Sequence, residues 1–286
     1  MKRWKSSLAK YCMLSPIVLW MYLLVAIPFL YIIVISFMNK GTYGGVTPGF
    51  TLKNYGDIFN ALYITTFVKS LFISFAVTLI CLVISYPFTY FIAKKSEIKK
   101  TVFMSMVMIP FCVSMIIRLF SWVNILRAEG YINKILSALG FISVPLSLVY
   151  NQTGAMIGLI YMLLPFMVLP LYSSIEKLDK SLLEAASDLG AKRWRAFLDI
   201  TLPLTKPGIF AGCVMVFIPS MGLYFVTDMM GGSKTLVVGN LIKNQFITAR
   251  NWPLGAAMSV ILMLITVILL KGYTKAGGSM DDLSGI

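Results

Sequence analysis

Few residue types in this chain could do chemistry, and those present favour binding over catalysis. The 286 residues include no histidine, which excludes histidine metal ligands, nucleophile–histidine pairs and histidine proton relays. No nucleophile stands beside a candidate base, and no pair of catalytic carboxylates can be picked out. We therefore expect no catalytic residue and no metal site in this chain.

One carboxylate stands out by its position. Asp228 directly follows an apolar run that includes Tyr224 and Phe225. An ionisable group at such a depth is costly unless it faces a cavity or a partner. A ligand with several ammonium groups would need carboxylates and aromatic faces, so these three residues are candidates for a ligand pathway. Equally, Asp228 could cap the end of its helix or pair with Lys234.

Three further residues lie close to predicted helix ends. Trp122 and Tyr161 are additional pathway candidates, although aromatic residues at membrane boundaries usually serve as interface anchors. Arg118 is expected to extend its charged end to the membrane surface or to pair with an acid.

The stretch from Gly231 to Thr235 looks like a phosphate-binding loop but does not match one. A P-loop requires its second glycine directly before the lysine, whereas Ser233 separates Gly232 from Lys234 here. We therefore expect this chain to bind no nucleotide and no other cofactor. Any ATP and Mg²⁺ would be bound by a partner chain, which would supply the energy.

The segment 181–203 is strongly charged and carries clear signals of helix ends. Ser181 followed by Glu184 is a capping box, which predicts a short helix beginning at about Leu182. Gly190 is expected to end that helix, because glycine enters the left-handed conformation without a steric penalty.

A second short helix should run from residue 192 to about residue 198, before Pro203 ends it. In the first helix, helical periodicity separates two kinds of side chain. One face carries Leu182, Ala185, Ala186 and Leu189. The opposite face carries Glu184 and Asp188. Two alanines on an amphipathic face allow another protein to approach closely.

The elements that hold these residues are membrane helices. Apolar residues make up 58% of the chain and charged residues only 13%, which is far from the composition of a soluble domain. A membrane helix needs about 20 mostly apolar residues, and six stretches qualify: about 11–38, 67–93, 101–122, 155–172, 208–227 and 253–270. The sequence thus predicts an all-α integral membrane protein with six transmembrane helices in a single domain, residues 1–286.

Basic residues predict the orientation of these helices. With the N-terminus inside, the inner segments hold most of the 25 Lys and Arg residues, among them Lys2, Arg3, Lys5, Lys10, Lys94, Lys95, Lys99, Lys100, Lys192, Arg193, Arg195 and Lys271. The positive-inside rule then places both termini and the segment 176–206 in the cytoplasm. The net charge of +14 is therefore interpreted as attraction to anionic lipid, and no nucleic-acid partner is expected.

The segment 181–203 also resembles a known signature. The pattern E-A-A, three residues, G, nine residues and I-x-L-P is typical of membrane subunits of binding-protein-dependent ABC importers. It is met here by Glu184, Ala185, Ala186, Gly190, Ile200, Leu202 and Pro203. In that family this element is the coupling helix, which docks on an ATPase subunit. The alternative is an ordinary surface loop between two membrane helices.

Longer stretches narrow the resemblance. Residues 158–190, 203–209 and 221–232 are similar to the PotB-type permeases of spermidine/putrescine importers. This resemblance implies a type I ABC importer transmembrane domain and a bacterial cytoplasmic (inner) membrane location. It also implies four kinds of partner: membrane lipid, a second, PotC-like permease subunit, two PotA-like ATPase subunits that bind ATP and Mg²⁺, and an extracytoplasmic, PotD-like polyamine-binding protein.

Three alternatives to a polyamine permease stay open. The same architecture could carry ferric iron, thiamine or another small solute. An ion-coupled secondary carrier would need intramembrane ionisable residues or inverted repeats. A membrane scaffold without transport would leave the pattern at 184–203 unexplained.

Overall fold

The computed structural model describes residues 15–232 and 235–275, which are helical apart from one short hairpin and the loops. The hairpin pairs β1 (Asn39–Lys40) antiparallel with β2 (Val46–Thr47). The helices are α1 (Ser15–Ser36), α2 (Lys53–Ile58), α3 (Ala61–Ala93), α4 (Glu97–Met108), α5 (Met115–Leu126), α6 (Tyr131–Ala138), α7 (Gln152–Glu176), α8 (Lys180–Asp188), α9 (Arg193–Leu204), α10 (Lys206–Gly222), α11 (Tyr224–Val226), α12 (Val238–Ile247) and α13 (Trp252–Lys275). Outside the described residues lie Lys2, Arg3, Lys5, Lys10, Ser233, Lys234 and the start of the predicted helix 11–38.

Four of the described helices, α1, α3, α7 and α13, have the length and apolar composition to cross a membrane. Two bent pairs pass the same test when each is taken as one span, which gives up to six. One pair is Glu97–Cys112 with Met115–Ala138, bent by 97°. The other is α9 with α10, bent by 62°. Within the described residues, each of the six stretches predicted from the sequence overlaps one of these helices or bent pairs, in agreement with the expected all-α membrane fold.

Two of the predicted stretches are not continuous helices. In the stretch 101–122, α4 passes into a 3₁₀ turn (Ile109–Cys112) and the chain is then extended at Val113 before α5 begins. Pro110 accounts for part of this break, because proline lacks an N–H and its ring clashes with the preceding turn. In the stretch 208–227, α10 ends at Gly222, and α11 continues into a π-helix (Thr227–Gly231).

The other prolines in mid-helix do not break their helices. Pro87 lies inside α3, Pro165 and Pro170 lie inside α7, and Pro219 lies inside α10. This agrees with the expectation that membrane helices persist through proline, since neighbouring groups satisfy the freed carbonyls.

The chain divides into two compact units, residues 1–64 with 241–264, and residues 65–240 with 265–286. In the first unit, the buried Asn54 amide donates to the carbonyls of Ser36 (3.0 Å) and Met38 (2.9 Å) at the end of α1. The Ser36 hydroxyl lies 2.8 Å from the Tyr55 hydroxyl. These bonds fix α2 to the end of α1 and satisfy carbonyls that a helix end leaves free.

The second unit contains the principal apolar core and is centred on α7. Buried side chains of α3, α5, α10 and the π-helix pack around α7, among them Val77, Leu119, Leu159, Leu163, Met167, Val216 and Met230. Close approach depends on small residues: a Cβ at Gly208 would lie 2.7 Å from the Pro170 carbonyl, and one at Gly158 would lie 2.7 Å from Val226 Cγ1. Glycines at these positions therefore serve packing within the chain.

Candidate functional site

The helix α8 begins two residues earlier than the sequence predicts. Its N-cap is Asp179, whose Oδ1 accepts a hydrogen bond of 2.9 Å from the Ser181 amide. The predicted capping box of Ser181 and Glu184 is therefore wrong, because Asp179 occupies the N-cap position and Ser181 lies inside the helix. That hydrogen bond holds the pKa of the Asp179 carboxyl below its usual value. The cap is thus ionised at neutral pH, and its stabilising effect is lost only as the pH falls through the lowered pKa.

The end of α8 is as predicted. Gly190 has φ +79°, in the left-handed region. Its amide donates to the Ser187 carbonyl and the Ala191 amide donates to the Ala186 carbonyl, both at 2.9 Å. These two bonds are those of a Schellman motif, which turns the chain sharply after the helix.

The second helix of the segment, α9, is longer than expected. It starts at Arg193, one residue after the predicted start, and continues through a π-helical stretch (Phe197–Thr201) to Leu204. Pro203 lies in the first turn of the last helical stretch, where its missing N–H is not needed. The bend comes instead at Thr205.

The apolar face predicted for α8 is exposed. Leu182 is 44% exposed, Leu189 89% and, across the turn, Trp194 70%. Beside them lies a cavity of about 640 Å³, which we call the loop groove. Its lining includes Ala186, Leu189, Gly190, Trp194 and Ile200. Of the other residues of the pattern, Ala185 and Pro203 are exposed and Leu202 is half buried.

Glu184 faces a different space. It lines a second cavity of about 540 Å³, the helix-end groove, which lies between α8, α9 and the ends of α3, α4 and α7. Basic residues share this lining, namely Lys94, Lys100 and Arg193. The residues of the pattern therefore lie beside two different grooves. Glu184 lines the helix-end groove, whereas Ala186, Gly190 and Ile200 line the loop groove.

Aromatic contacts attach α9 to α3. The Phe197 ring packs edge-on against Tyr86 and Tyr90, with centroid distances of 5.6 and 5.7 Å. The Tyr86 hydroxyl lies 2.8 Å from Thr205 Oγ1. The Thr205 hydroxyl in turn donates to the Thr201 carbonyl at 2.8 Å. A movement of α9 would therefore be transmitted directly to α3 and, through Thr205, to α10.

A charged cluster joins the ends of α4 and α7 next to the helix-end groove. Lys100 Nζ lies 2.8 Å from Glu97 Oε1 and 3.0 Å from Glu176 Oε1. The Tyr172 hydroxyl donates to the same Glu176 oxygen at 2.7 Å. Sequence reasoning missed this cluster, because nothing local to Lys100 indicates a partner 76 residues away.

The Asp228 carboxylate lies on the π-helix after α11 and is held by a neighbour that sequence reasoning also missed. Asn240, which is buried, donates from Nδ2 to Asp228 Oδ1 at 2.6 Å. Asn240 Oδ1 accepts from the Thr227 hydroxyl and from the Val237 amide, each at 2.8 Å. The sequence offered one signal for this partner, because Asn240 is a polar side chain in the otherwise apolar run 236–242. The alternative pairing of Asp228 with Lys234 lies outside the described residues.

The aromatic candidates beside Asp228 differ in exposure. Tyr224 is 38% exposed, and Phe225 is partly buried against the core. The Tyr224 carbonyl accepts hydrogen bonds from Thr227 and Asn240, which ties α11 to the π-helix that carries Asp228.

Trp122 and Tyr161 lie together, with ring centroids 5.2 Å apart. Arg118 is their neighbour, and the guanidinium carbon lies 5.9 Å from the Tyr161 ring and 4.3 Å from the Phe111 ring. Of the two expectations for Arg118, pairing with an acid is not met among the described residues, whereas the extension of its charged end to the membrane surface stays a prediction. Its Nε and Nη1 are buried without a hydrogen-bond partner among the described residues, and no ion pair of Arg118 is found there.

The described residues include no group of three or more Cys, Asp or Glu side chains that could hold a metal ion. The segment of α8 and α9 thus offers an exposed apolar face beside the loop groove, and the helix-end groove adjoins a cluster of charged side chains. Such a site can bind a partner chain and position a charged ligand.

Membrane-length helices interrupted by an exposed helix–turn–helix segment define a class of protein, the permease subunit of a membrane transporter. Residues 85–274 match the family described as the inner membrane component of binding-protein-dependent transport systems. This chain belongs to that family, and it is accordingly a multi-pass inner-membrane protein.

Curated relatives resemble the chain over most of its length. It is 44% identical to the spermidine/putrescine transport system permease protein PotB of Escherichia coli, over 92% of this chain and 96% of that protein. It is 45% identical to the protein of the same name from Salmonella typhimurium, over 91% of each chain. A solved bacterial alginate ABC transporter has the same fold, with a TM-score of 0.76, 18% identity and coverage of 95% of this chain and 94% of that one.

Proposed function

We propose that this chain is the permease subunit of an ATP-driven polyamine importer and forms half of the path taken by spermidine or putrescine. The observation that carries the proposal is the match of 44–45% identity with permeases named for that transport. Identity at this level over more than nine-tenths of the chain favours the same cargo.

We propose the same partners that the resemblance implies. A second, PotC-like permease subunit completes the path, two PotA-like ATPase subunits bind ATP and Mg²⁺, and a PotD-like binding protein delivers the polyamine. The chain itself performs no covalent chemistry and binds no cofactor. Both termini and the segment 176–206 face the cytoplasm, as the basic residues of the inner segments suggest.

The exposed face beside the loop groove supports a docking role for α8. A large exposed apolar surface outside the membrane usually marks an interface with another protein, and Leu189 and Trp194 provide such a surface. In this proposal the residues of the pattern couple the chain to the ATPase, namely Glu184, Ala185, Ala186, Gly190, Ile200, Leu202 and Pro203.

Asp228, Tyr224 and Phe225 are proposed to contact the cargo, with Trp122 and Tyr161 further along the same path. The hydrogen bond from Asn240 to one carboxylate oxygen holds Asp228 in a fixed orientation, and its negative charge would attract an ammonium group. A carboxylate that is already held in one orientation loses little conformational entropy when a cation binds.

Uptake of labelled spermidine tests the proposal. In cells that lack this chain and any other polyamine importer, uptake should be lost and should return when the chain is restored. Restored uptake of labelled thiamine or ferric iron instead would show that the architecture is right and the cargo is wrong.

The Asp228→Asn variant tests the proposed contact. Asparagine keeps the shape and can accept the hydrogen bond from Asn240, but it removes the negative charge. We expect at least a tenfold rise in KM for spermidine, since a charge-assisted hydrogen bond is lost. The matched control is Asp57→Asn, which removes an exposed carboxylate elsewhere. Equal KM values for the two variants would refute the role of Asp228.

A further inference from the structure

Lys100 is a buried cation in the first turn of α4. Only 8% of the residue is exposed, and lysine is almost never buried to this degree unless it is paired. Its Nζ lies 2.8 Å from Glu97 Oε1 and 3.0 Å from Glu176 Oε1. Because a buried charge without a partner is strongly destabilising, the position of Lys100 depends on these carboxylates.

The two ion pairs of Lys100 differ in what they join. Glu97 lies one turn earlier on the same helix and its side chain is 84% exposed, so that pair contributes little. Glu176 is the last residue of α7, and its side chain is only 38% exposed. The Tyr172 hydroxyl, one turn earlier on α7, donates to the same Glu176 oxygen at 2.7 Å. Glu176 is therefore held in place for Lys100, and this pair joins α4 to α7.

Glu176 also lies next to the start of α8. Only Lys177 and Leu178 separate it from Asp179, the N-cap of α8. Both intervening amides donate to carbonyls in the last turn of α7, each at 3.3 Å, so the connection is a compact turn. A displacement of the start of α8 therefore moves Glu176 and, through the ion pair, Lys100.

Lys100 lies near the start of the first bent pair of helices. The helix α4 runs from Glu97 into the 3₁₀ turn (Ile109–Cys112), and the chain is extended at Val113 before α5 begins. The two parts of this pair are bent by 97°. At such a break, a few backbone dihedrals can change the angle between two rigid elements. A displacement of Lys100 therefore acts on the helix that leads to this break.

The other end of the docking segment is attached to different helices. Through Phe197 and Thr205, α9 contacts α3 and α10. The start of α8 is connected to α4 through Glu176 and Lys100. One movement of the segment can therefore act on several membrane helices at once.

We propose that Lys100 is a positioning residue for coupling, and that its ion pair with Glu176 transmits a movement of α8 to the bent pair of helices. This inference rests on the proposed function, in which an ATPase subunit docks on α8. When nucleotide binding displaces α8 together with its ATPase, Glu176 moves with the start of α8. The helix α4 follows, because separation from Glu176 would deprive the buried Lys100 of its better-held partner.

Hydrogen exchange in the assembled transporter tests the transmission directly. The transporter is reconstituted in lipid nanodiscs, and exchange in the segments 97–113 and 180–190 is compared with and without a non-hydrolysable ATP analogue. In the unchanged chain, the analogue should alter exchange in both segments. The Lys100→Met variant keeps the length of the side chain but not its charge. Its response at 97–113 should fall at least about fivefold, the lower end of typical coupling, while the response at 180–190 persists.

Matched variants make the result specific. Lys99→Met removes an exposed lysine beside Lys100 and should leave both responses unchanged. Lys100→Glu and Glu176→Lys should each abolish the response at 97–113 when introduced alone. The double variant again has one cation and two carboxylates in the cluster, with the cation moved to α7, and it should restore the response.

A loss of stability alone would give a different result. It would raise exchange in the segment 97–113 without nucleotide and lower the midpoint of thermal unfolding, but it would not selectively remove the response to the analogue. If Lys100→Met does not assemble with its partners, Tyr172→Phe replaces it, because that change removes only the hydroxyl that orients Glu176. It should reduce the same response about twofold, as expected for the loss of one hydrogen bond.

An undiminished response at 97–113 in these variants would overturn the inference and leave the docking of the ATPase intact. So would a double variant that fails to restore the response, or an unchanged chain that responds at 180–190 alone. No response at 180–190 in the unchanged chain would refute the docking itself and the inference with it. None of these outcomes depends on the cargo, which the uptake of labelled spermidine tests separately.

Discussion

At the scale of single residues, Gly190 shows how the conformation of one residue determines the direction in which the chain leaves the helix α8. Its φ of +79° is in the left-handed region, and a Cβ placed there would meet no atom within 4 Å. Any penalty for a larger residue therefore comes from the backbone alone, which is about 1–2 kcal/mol. The turn, and not a lack of space, is the reason for glycine at this position.

Replacing Gly190 tests whether that turn is needed for coupling. In the assembled transporter, Gly190→Val should leave membrane insertion intact and make ATP hydrolysis insensitive to the loaded binding protein. Gly190→Asn is the matched control, because asparagine tolerates the left-handed region better than other residues, and it should retain most of the stimulation. Normal stimulation in the valine variant would show that coupling does not depend on the turn.

Asp228 is a candidate residue that the sequence indicates but whose orientation depends on a neighbour that only the structure reveals. Its position after an apolar run was visible in the sequence, but the side chain that fixes it, Asn240, follows 12 residues later on another helix. Because Asn240 also binds Thr227 and Val237, its orientation is set before any ligand arrives. The carboxylate is thus presented in one direction.

At the scale of elements, the segment of α8 and α9 is joined to the membrane helices by few contacts. Phe197 packs on two tyrosines of α3, and Tyr86 reaches Thr205 at the bend between α9 and α10. The segment also presents Leu189 and Trp194 to the solvent, and the Trp194 ring stacks on that of Phe197. Force applied to the exposed face would therefore reach α3 and α10 through Phe197 and Thr205.

The Phe197→Ala variant tests this connection. It should cost less than the roughly 3–5 kcal/mol of a fully buried Phe→Ala change, since Phe197 is only partly buried, so the transporter should still assemble. We expect spermidine uptake to fall at least fivefold while basal ATP hydrolysis persists. Phe210→Ala, an exposed phenylalanine on α10, serves as the control. Full uptake with Phe197→Ala would exclude this contact as the mechanical link.

At the scale of the whole molecule, the distribution of charge favours an external source of energy. None of the 11 acidic residues falls within the six predicted spans, and there is no histidine. Proton-coupled carriers rely on chains of such groups inside the membrane. Arg118, whose Nε and Nη1 are buried, keeps its charge at any physiological pH and therefore does not relay protons.

An uptake measurement with an ionophore distinguishes the two energy sources. When the proton gradient is collapsed and cellular ATP is maintained, spermidine uptake through this chain should continue at close to its normal rate. Depletion of ATP with the gradient intact should stop it. The reverse pattern would indicate an ion-coupled carrier and would refute ATP-driven import.

Local signals in the sequence predicted the structure correctly where it depends on backbone sterics or on composition. The apolar stretches fall on the helices of the fold, and glycine at position 190 predicted the left-handed turn. The helix start was wrong even though it is local, because two neighbouring caps competed and Asp179 prevailed. The break after Pro110 was also unexpected, since prolines 87, 165 and 219 lie within continuous helices.

The sequence by itself determined that the chain is a membrane protein and which stretches form its membrane helices, because each depends on composition or on residues close together in the chain. The tertiary structure alone decided the partners: Asn240 for Asp228, Glu176 for Lys100, and Phe111 with Tyr161 for Arg118. Membrane helices are apolar on all sides, so their sequences carry little periodicity to show which faces meet. Only the packing of the helices against one another brings these groups together.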